Sequence, residues 1–256
     1  MSHWELCLDL SAESAYHLYS EADQALIQSC LERQEVIDFD ELTPRLTIDA
    51  GGVTAELNAL GRPFVWSLAR GDVARRAQKG AETLCRVTGA NRGSSVRILD
   101  ATAGLGREAC LMASAGAEVH AVERSLPLYL MIRGALHEAQ RAHEADQPLF
   151  TLTLDESQRA HESMTAPFDV IYLDPMFPVK TKRAQVGREA QVLKAFAAPP
   201  SESDDESLLT WALEAATRRV VVKRPLKAKP LPGPKPTAAV KGRAVRFDIY
   251  GKRRLP

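Results

Sequence analysis

The second half of the chain alternates short apolar runs with stretches of helical periodicity. The apolar runs are four to six residues long and lie at residues 96–100, 118–122, 149–154, 168–173, 219–222 and 245–250. Apolar positions recur with helical spacing at residues 71–87, and further helices are predicted at residues 107–115, after Ser125-Leu126-Pro127 and at residues 208–216. Strands that alternate with helices form right-handed βαβ units and a mostly parallel sheet. The pattern therefore predicts an α/β fold for this part of the chain.

The N-terminal part of the chain follows a different pattern. Its predicted elements are strands at residues 5–10 and 45–50, a helix at residues 11–31 and a turn at Gly51-Gly52. We predict a small α/β subdomain over residues 1–60 and a larger domain over residues 61–256.

Composition limits the class of protein. The chain has 256 residues, of which 45% are hydrophobic and 26% are charged, as in ordinary globular proteins. Its apolar runs are shorter than the ~18 residues that span a bilayer, and the N-terminus lacks the basic and apolar segments of a signal peptide. We expect a cytoplasmic protein with no membrane partner. The four cysteines and six histidines show no spacing typical of a metal site, so no metal is expected.

The net charge is zero, but the charges are unevenly distributed. Residues 1–58 contain twelve acidic and two basic residues, whereas residues 218–256 contain thirteen basic residues and one acidic residue. A basic segment of this kind is typical of a surface that binds a polyanion such as nucleic acid. Charge alone fits equally well a solvated face, or a face that pairs with the acidic N-terminal part.

The first turn of the predicted α/β region is rich in glycine and directly follows a buried strand. Its sequence is DATAGLGREA, from Asp100 through Gly104 and Gly106. Glycines allow positive φ angles and let the backbone approach a ligand closely. Glu123 ends the next strand, where its carboxylate can accept hydrogen bonds from both hydroxyls of a ribose. Because ligands of such sheets bind at the carboxyl ends of the strands, these features predict an adenosine-containing cofactor.

Two cofactors fit this turn. GLGREA matches G-x-G-x-x-A, a pattern of dinucleotide binding in which the helix N-terminus faces the pyrophosphate. Here Asp100 and three small residues separate the strand from Gly104, and a carboxylate at that place repels a pyrophosphate. The same carboxylate stabilises S-adenosylmethionine (SAM), which carries an ammonium group and a cationic sulfur. The turn favours SAM, while an NAD-dependent oxidoreductase and a purely structural turn remain as alternatives.

A second turn, DPMFP, follows the strand at residues 168–173 and carries the candidate catalytic residues Asp174, Pro175 and Phe177. It resembles the (Asp/Asn)-Pro-Pro-aromatic motif of amino-group methyltransferases. An exocyclic amine of a base is a poor nucleophile because its lone pair is delocalised into the ring. Hydrogen bonds to the Asp174 carboxylate and the Pro175 carbonyl favour a pyramidal nitrogen, and Phe177 can stack on a base taken out of its helix. The alternative is a proline-rich structural turn with Phe177 in the core.

Four segments together resemble one family closely. LDATAGLGRE begins at Leu99, YLDPMFP at Tyr172, VVVKRP at Val220 and RFDIY at Arg246. Over roughly residues 96–250, this combination resembles the RsmJ family of bacterial small-subunit ribosomal RNA guanine-N2 methyltransferases. The resemblance implies a Rossmann-like class I fold with SAM as the cofactor. It also implies that the methyl acceptor is N2 of one guanosine in 16S ribosomal RNA.

The resemblance further implies a set of cofactor contacts, which join Asp100, Gly104 and Gly106 of the glycine turn. The implied contacts are Arg107, Glu108, Glu123, Arg124 and Asp174. The family also places contacts on a pair of serines upstream of the motif aspartate. That pair corresponds to Glu156 and Ser157, of which only the second is serine here.

Basic residues near the two turns complete the predicted site. We expect RNA phosphates to bind Lys180, Lys182, Arg183, Lys223 and Arg224. The expected partner is small-subunit ribosomal RNA or the 30S subunit, and both a monomer and a dimer are compatible with the sequence. Residues 227–236 are rich in lysine and proline and are predicted to form a loop. Two further alternatives are methylation of another amino group, such as adenine N6 or a protein glutamine, and a non-catalytic ribosome-binding protein.

Overall fold

The computed structural model of the protein describes most of the chain. The described residues are 4–8, 21–34, 43–49, 52–57, 60–69, 83–92, 96–142, 149–176, 187–197, 202–253 and 255. The chain divides into two compact units, the first made of Met1–Ala69, Ser125–Pro148 and Thr181–Ala197, and the second of Arg70–Arg124, Leu149–Lys180 and Ala198–Pro256. The first unit thus includes two segments that lie far beyond residue 60 in the sequence.

Strands and helices alternate through most of the second unit. Within the described residues, the strands are β1 Glu5–Leu8, β2 Arg45–Asp49, β3 Gly52–Glu56, β4 Phe64–Val65, β5 Arg97–Asp100, β6 Glu118–Glu123, β7 Thr151–Leu154, β8 Val170–Leu173, β9 Arg219–Pro225, β10 Ala238–Lys241 and β11 Val245–Gly251. The helices of the same residues are α1 Glu21–Gln34, α2 Thr83–Thr88, α3 Arg107–Ser114, α4 Leu126–Ala142, α5 Ser157–Glu162, α6 Arg188–Phe196 and α7 Glu202–Ala215, with a 3-10 helix at Ala90–Arg92.

The sheet of the second unit contains seven strands in the order β10-β11-β9-β8-β5-β6-β7. Strands β5 to β9 run parallel to one another, whereas β11 is antiparallel to β9 and β10 is antiparallel to β11. The strand order reverses at β5, which lies between β6 and β8. Ligands of such sheets bind at the carboxyl ends of the strands beside this reversal. The mostly parallel α/β sheet predicted from the sequence is confirmed.

The central strands are apolar because both of their faces are covered, as is usual for parallel sheets. Leu99 in β5, Ile171 in β8 and Val220 in β9 are fully buried. Helix α3, predicted at residues 107–115, begins directly after Gly106 and is followed by Gly116. Because β5, β6 and β8 are parallel neighbours, their carboxyl ends meet at one edge of the sheet, where Asp100, Glu123 and Asp174 lie.

The first unit has a separate four-stranded sheet in the order β1-β2-β3-β4, against which α4 packs through β3. A buried polar network joins α1 to α4. Asp23 is only 5% exposed and accepts a hydrogen bond from the Tyr129 hydroxyl at 2.6 Å. The Arg133 guanidinium lies 3.0 Å from its other oxygen. These two donors offset the cost of removing the Asp23 carboxylate from water.

Several elements differ from the sequence prediction. The helix predicted at residues 71–87 is described only from Thr83, and residues 71–82 lie outside the described part of the chain. The helix predicted at residues 11–31 is described from Glu21 and continues to Gln34. The elements β3, β4, β10, α5 and α6 were not predicted, because their short, mixed sequences depend on pairing or packing with distant segments. Among the described residues, no helix is both long and apolar enough to cross a membrane.

We expect Tyr129→Phe to lower the free energy of unfolding by about 1.5–3 kcal/mol, the usual range for a hydrogen bond to a charged group. The phenyl ring keeps the packing of Tyr129, while the Asp23 carboxylate loses a donor. Chemical denaturation measures the change. In an Asp23→Asn background the same substitution should cost clearly less, because the charged acceptor has been removed. Equal losses in both backgrounds would contradict this account of the network.

Candidate active site

The glycine turn lies at the carboxyl edge of the seven-stranded sheet, between β5 and α3. Gly104 and Gly106 have φ angles of 58° and 72°, in the left-handed region that favours glycine. The Gly106 N–H donates to the Ala103 carbonyl at 2.7 Å, and the Ala103 N–H donates to the Val122 carbonyl at 3.1 Å. The first bond closes the turn and the second attaches it to β6, so that its backbone is held in one conformation beside the strand ends.

Glu123 ends β6 beside this turn, at the place predicted for a ribose contact. Its side chain is 7% exposed, and its Oε2 accepts a hydrogen bond from the Gly104 N–H at 2.7 Å. The carboxylate therefore fixes the glycine turn as well as placing a negative charge at the end of β6. The sequence predicted the position of Glu123 but not this bond.

Asp100 ends β5 with its side chain fully buried. Its Oδ1 accepts a hydrogen bond from the Thr102 N–H at 3.2 Å, and its buried Oδ2 has no hydrogen-bond partner among the described residues. Burial, followed by the charges of Glu108, Asp174 and Glu123, raises the pKa of Asp100 well above its usual range. A cationic ligand beside this carboxyl would favour its ionised form, whereas an anionic ligand would oppose ionisation.

Asp174 directly follows β8 at the same edge of the sheet. Its backbone N–H donates to the Thr102 hydroxyl at 2.6 Å, and the Ala101 N–H donates to the Tyr172 carbonyl at 3.0 Å. Pro175, the next residue, is buried. The two turns that the sequence singled out are thus bonded directly to each other.

Lys223, near the end of β9, bridges two carboxylates. Its Nζ lies 2.7 Å from Asp174 Oδ2 and 2.6 Å from Glu108 Oε1. Burial raises the pKa of Asp174 to about 6, with Lys223 opposing the rise and Glu108 adding to it. Burial alone would lower the pKa of the Lys223 ammonium, but the two carboxylates raise it above its ordinary value. We call these three residues (Glu108, Asp174 and Lys223) the Lys223 cluster.

Three residues implied by the family resemblance lie around the ends of β6 and β7. Ser157 is buried at the start of α5, and its hydroxyl donates to the Ala101 carbonyl at 2.6 Å. Glu156 precedes it, has a side chain 52% exposed and lies 3.6 Å from the Arg124 guanidinium. Ser157 therefore supports the backbone at the base of the glycine turn, while Glu156 and Arg124 form a more exposed pair.

The remaining predicted residues divide into two groups. Arg107 opens α3 directly after the glycine turn, and its side chain is half-buried. Four residues lie outside the described part of the chain: Phe177, Lys180, Lys182 and Arg183.

Two residues predicted to bind RNA have partners inside the protein. Lys223 belongs to the Lys223 cluster, and Arg224 is 6% exposed and donates from Nε and Nη2 to the Lys229 carbonyl at 3.0 and 2.6 Å. Successive side chains of a strand point to opposite faces, so Lys223 and Arg224 bind different groups on the two faces of the sheet. The sequence shows two adjacent cations but not which groups surround them. Thr102 was also missed, because nothing in the sequence marks a hydroxyl that links two turns.

Comparisons with known proteins show the family of the chain. Residues 24–252 match the family described as "Putative SAM-dependent methyltransferase". A relative from Alcanivorax borkumensis named ribosomal RNA small subunit methyltransferase J is 43% identical over 169 residues, and one of the same name from Halorhodospira halophila is 40% identical over 172 residues. Both alignments cover 66% of this chain and slightly less than two thirds of the relative, 66% and 64% respectively. A relative of that name from Coxiella burnetii is 35% identical over 191 residues, covering 73% of this chain and 74% of the relative.

The fold also matches a solved structure. A SAM-dependent methyltransferase from Neisseria gonorrhoeae superposes with a TM-score of 0.71 at 23% identity, covering 96% of this chain and 95% of that chain. This similarity shows the fold, which is that of the Rossmann-like class I SAM methyltransferases predicted from the sequence. The chain therefore belongs to the family of SAM-dependent methyltransferases, together with its relatives named ribosomal RNA small subunit methyltransferase J.

Proposed function

We propose that this protein transfers a methyl group from SAM to the exocyclic N2 of a guanosine in 16S (small-subunit) ribosomal RNA. One observation carries the proposal: Asp174 lies at the end of β8, its backbone N–H is bonded to Thr102 of the glycine turn, and its carboxylate forms an ion pair with Lys223. The relatives' shared name supports small-subunit ribosomal RNA as the substrate. The four motifs quoted above support guanine N2 as the acceptor atom.

The residues at this edge of the sheet suit SAM better than NAD. Glu108, Asp174 and Glu123 all lie close enough to raise the pKa of the buried Asp100 carboxylate. A cation at this place relieves the repulsion, whereas a pyrophosphate adds to it. When bound, SAM supplies an electrophilic methyl group on a cationic sulfur. The family match agrees with this choice and does not favour the oxidoreductase alternative.

In this proposal, Glu123 and the glycine turn hold the adenosine part of SAM. Glu123 would accept hydrogen bonds from the ribose hydroxyls, while its bond to the Gly104 N–H keeps the turn in place. Gly104 and Gly106 adopt positive φ angles, and neither has a Cβ atom that could obstruct the ligand. Ser157 supports the start of the turn, because its hydroxyl donates a hydrogen bond to the Ala101 carbonyl.

Asp174 acts on the acceptor amine. Its carboxylate accepts a hydrogen bond from the guanine N2 amino group, which favours a pyramidal nitrogen with an available lone pair. Thr102 and Pro175 fix the backbone of the turn, so the amine is positioned before reaction rather than during it. After transfer the nitrogen carries an excess proton, which a carboxylate with a pKa of about 6 can accept.

Lys223 favours the ionised form of Asp174, which accepts the hydrogen bond of the amine. The ammonium holds Asp174 Oδ2 at 2.7 Å and lowers the pKa that burial raises. The same amine chemistry would serve adenine N6 or a glutamine amide, and the choice of guanine follows from the combination of motifs. A non-catalytic ribosome-binding protein would have no need of a half-buried lysine shared between two carboxylates.

We expect Asp174→Ala to lower kcat for methyl transfer by about 10²–10³-fold, the range for removing one preorganised hydrogen-bonding group. Binding of naked ribosomal RNA should stay within twofold, or about 0.4 kcal/mol. Asp174→Asn should keep a measurable part of the activity, because its amide oxygen still accepts a hydrogen bond. The transfer of a labelled methyl group is measured for the wild type and for both variants. Wild-type turnover by the alanine variant would rule out this role.

The Lys223 cluster predicts a specific pH dependence. Because only ionised Asp174 accepts the amine hydrogen bond, kcat/KM should rise with pH through about 6 in the wild type. Lys223→Met removes the charge that lowers this pKa, so the midpoint should move upward by about 1–3 pH units. Lys223→Arg keeps the charge and should leave the midpoint near the wild-type value. A lower rate in Lys223→Met with an unshifted midpoint would show that Lys223 has only a structural role.

Glu123→Ala should weaken SAM binding by about 1.5–3 kcal/mol, because the variant lacks the charged carboxylate that would accept hydrogen bonds from the ribose hydroxyls of SAM. Isothermal titration calorimetry measures the affinity directly. Glu118→Ala is the matched control, since Glu118 lies at the opposite end of the same strand and pairs with Arg97. Equal affinities in the two variants would mean that the cofactor does not contact Glu123.

A further inference from the structure

The segment that follows β9 is held by two arginines from neighbouring strands. Arg246 on β11 donates from Nη1 to the carbonyls of Pro225, Leu226 and Ala228, at 3.4, 3.1 and 2.5 Å. Arg224 on β9 donates twice to the carbonyl of Lys229. Four of the five carbonyls in residues 225–229 are therefore fixed by guanidinium groups. We call these residues the 225–229 turn.

Arg246 is itself held by a buried acid. Its Nε and Nη2 lie 2.8 and 3.0 Å from the two oxygens of Asp248, which is 1% exposed. A bidentate pair of this kind gives the guanidinium a fixed orientation. Burying two charges is costly unless they are fully paired, and here the pair also orders a surface turn. The RFDIY motif thus contributes both members of the pair that shapes the 225–229 turn.

The 225–229 turn presents positive charge to solvent. Lys227 and Lys229 are exposed, and neither forms an ion pair within the described part of the chain. No acidic residue occurs anywhere between Arg224 and Asp248 in the sequence. The fixed carbonyls therefore orient a backbone whose side chains are free to meet an anionic partner.

Strand register places a second basic pair at the same edge of the sheet. Val245, the first residue of β11, pairs with Pro225, and Lys241, the last residue of β10, pairs with Arg246. The hairpin between β10 and β11, with exposed Lys241 and Arg243, therefore lies at the edge where β9 ends. Asp174 follows β8 at this edge too, because β8 and β9 are parallel neighbours.

Protection of an exposed edge strand explains only some of the basic residues at this edge of the sheet. Lysines on an exposed edge strand discourage pairing with another sheet, which explains Lys241 on β10. The 225–229 turn is not a strand edge, so the same reason does not apply to Lys227 and Lys229. Phosphate contacts require exposed cations on a defined surface next to the reacting centre, and the turn provides both.

We propose that the 225–229 turn and the β10–β11 hairpin form an RNA-docking surface, in which Lys227, Lys229, Lys241 and Arg243 contact phosphates of the RNA beside the acceptor nucleotide. The proposal rests on the proposed function, since it takes RNA as the substrate. It assigns the RNA contacts to exposed residues in place of Lys223 and Arg224, which have internal partners. In this proposal, the side chains of Arg224, Arg246 and Asp248 hold the 225–229 turn in the conformation that binds the RNA.

Three double variants test the surface, each removing two positive charges from the full-length protein. They are Lys227→Gln/Lys229→Gln in the turn, Lys241→Gln/Arg243→Gln in the hairpin, and the control Lys235→Gln/Arg253→Gln. Lys235 and Arg253 are exposed, but the first lies in the returning part of the loop and the second follows the opposite end of β11. Binding of naked small-subunit ribosomal RNA is measured as a function of salt concentration, and SAM affinity is measured alongside.

In the turn and hairpin variants, the slope of log affinity against log salt should fall by about 0.7–0.9 for each RNA phosphate that the variant no longer neutralises. The control variant should keep the wild-type slope, and all three should keep wild-type SAM affinity. Equal reductions of the slope in the variants and the control would overturn the proposal, because they would reflect net charge alone. Weaker binding to assembled 30S subunits with unchanged binding to naked RNA would overturn it in favour of a ribosomal protein partner.

Methyl transfer separates this inference from the proposed function. If the wild type binds ribosomal RNA and the turn and hairpin variants show a smaller slope, the docking surface is supported even when no methyl group is transferred. Such a result would overturn the proposed acceptor but not the surface. If the wild type transfers methyl groups while both variants keep the wild-type slope and KM for RNA, the surface is overturned and the function stands.

Discussion

The parallel sheet concentrates negative charge at one edge, and Lys223 balances part of it. Because β5, β6 and β8 end side by side, their terminal carboxylates lie near one another, and Glu108 joins them from the start of α3. Lys223 pairs with Glu108 and Asp174, whereas Asp100 stays buried with a raised pKa. The imbalance suits a cationic cofactor, and the pairing suits an ionised carboxylate that faces an amine. Both parts of the proposed reaction follow from this electrostatic arrangement.

The sequence predicted the parts of the fold that depend on local pattern. Strand β8 is apolar throughout, and the middles of β5 and β6 are apolar at Ile98, Leu99, Ala121 and Val122, because both faces of a parallel sheet are buried. Gly104 and Gly106 marked the turn because a left-handed backbone needs glycine. Asp174 was predicted as a site residue because it directly follows a strand, and Glu123 because it ends one. Their placement at one edge is what the structure shows, and their roles remain proposals.

Long-range contacts were beyond the sequence prediction. Lys223 and Arg224 are adjacent and equally charged, yet one pairs with carboxylates 49 and 115 residues away and the other orders the turn that follows it. Strand β10 exists only through its pairing with β11, and its AAVK sequence shows little strand preference by itself. The inclusion of α4 and α6 in the first unit likewise depends on contacts between distant segments.

Side chains alternate between the two faces of β9, so the adjacent residues Lys223 and Arg224 contact different parts of the protein. Lys223 stabilises the Asp174 carboxylate, and Arg224 fixes the carbonyl at the end of the 225–229 turn. A strand one residue out of register would exchange these faces and break both sets of bonds. The proposed chemistry and the proposed RNA contact are therefore linked through the register of one central strand with β8 and β11.

The most direct measurement is the transfer of a labelled methyl group from SAM to small ribosomal subunits, and to naked small-subunit RNA, from cells that lack this gene. The product nucleosides are then separated and identified. Label in N2-methylguanosine is the result that our account predicts. Confirmed SAM binding with label in another nucleoside, or in none, would contradict guanine N2 as the acceptor.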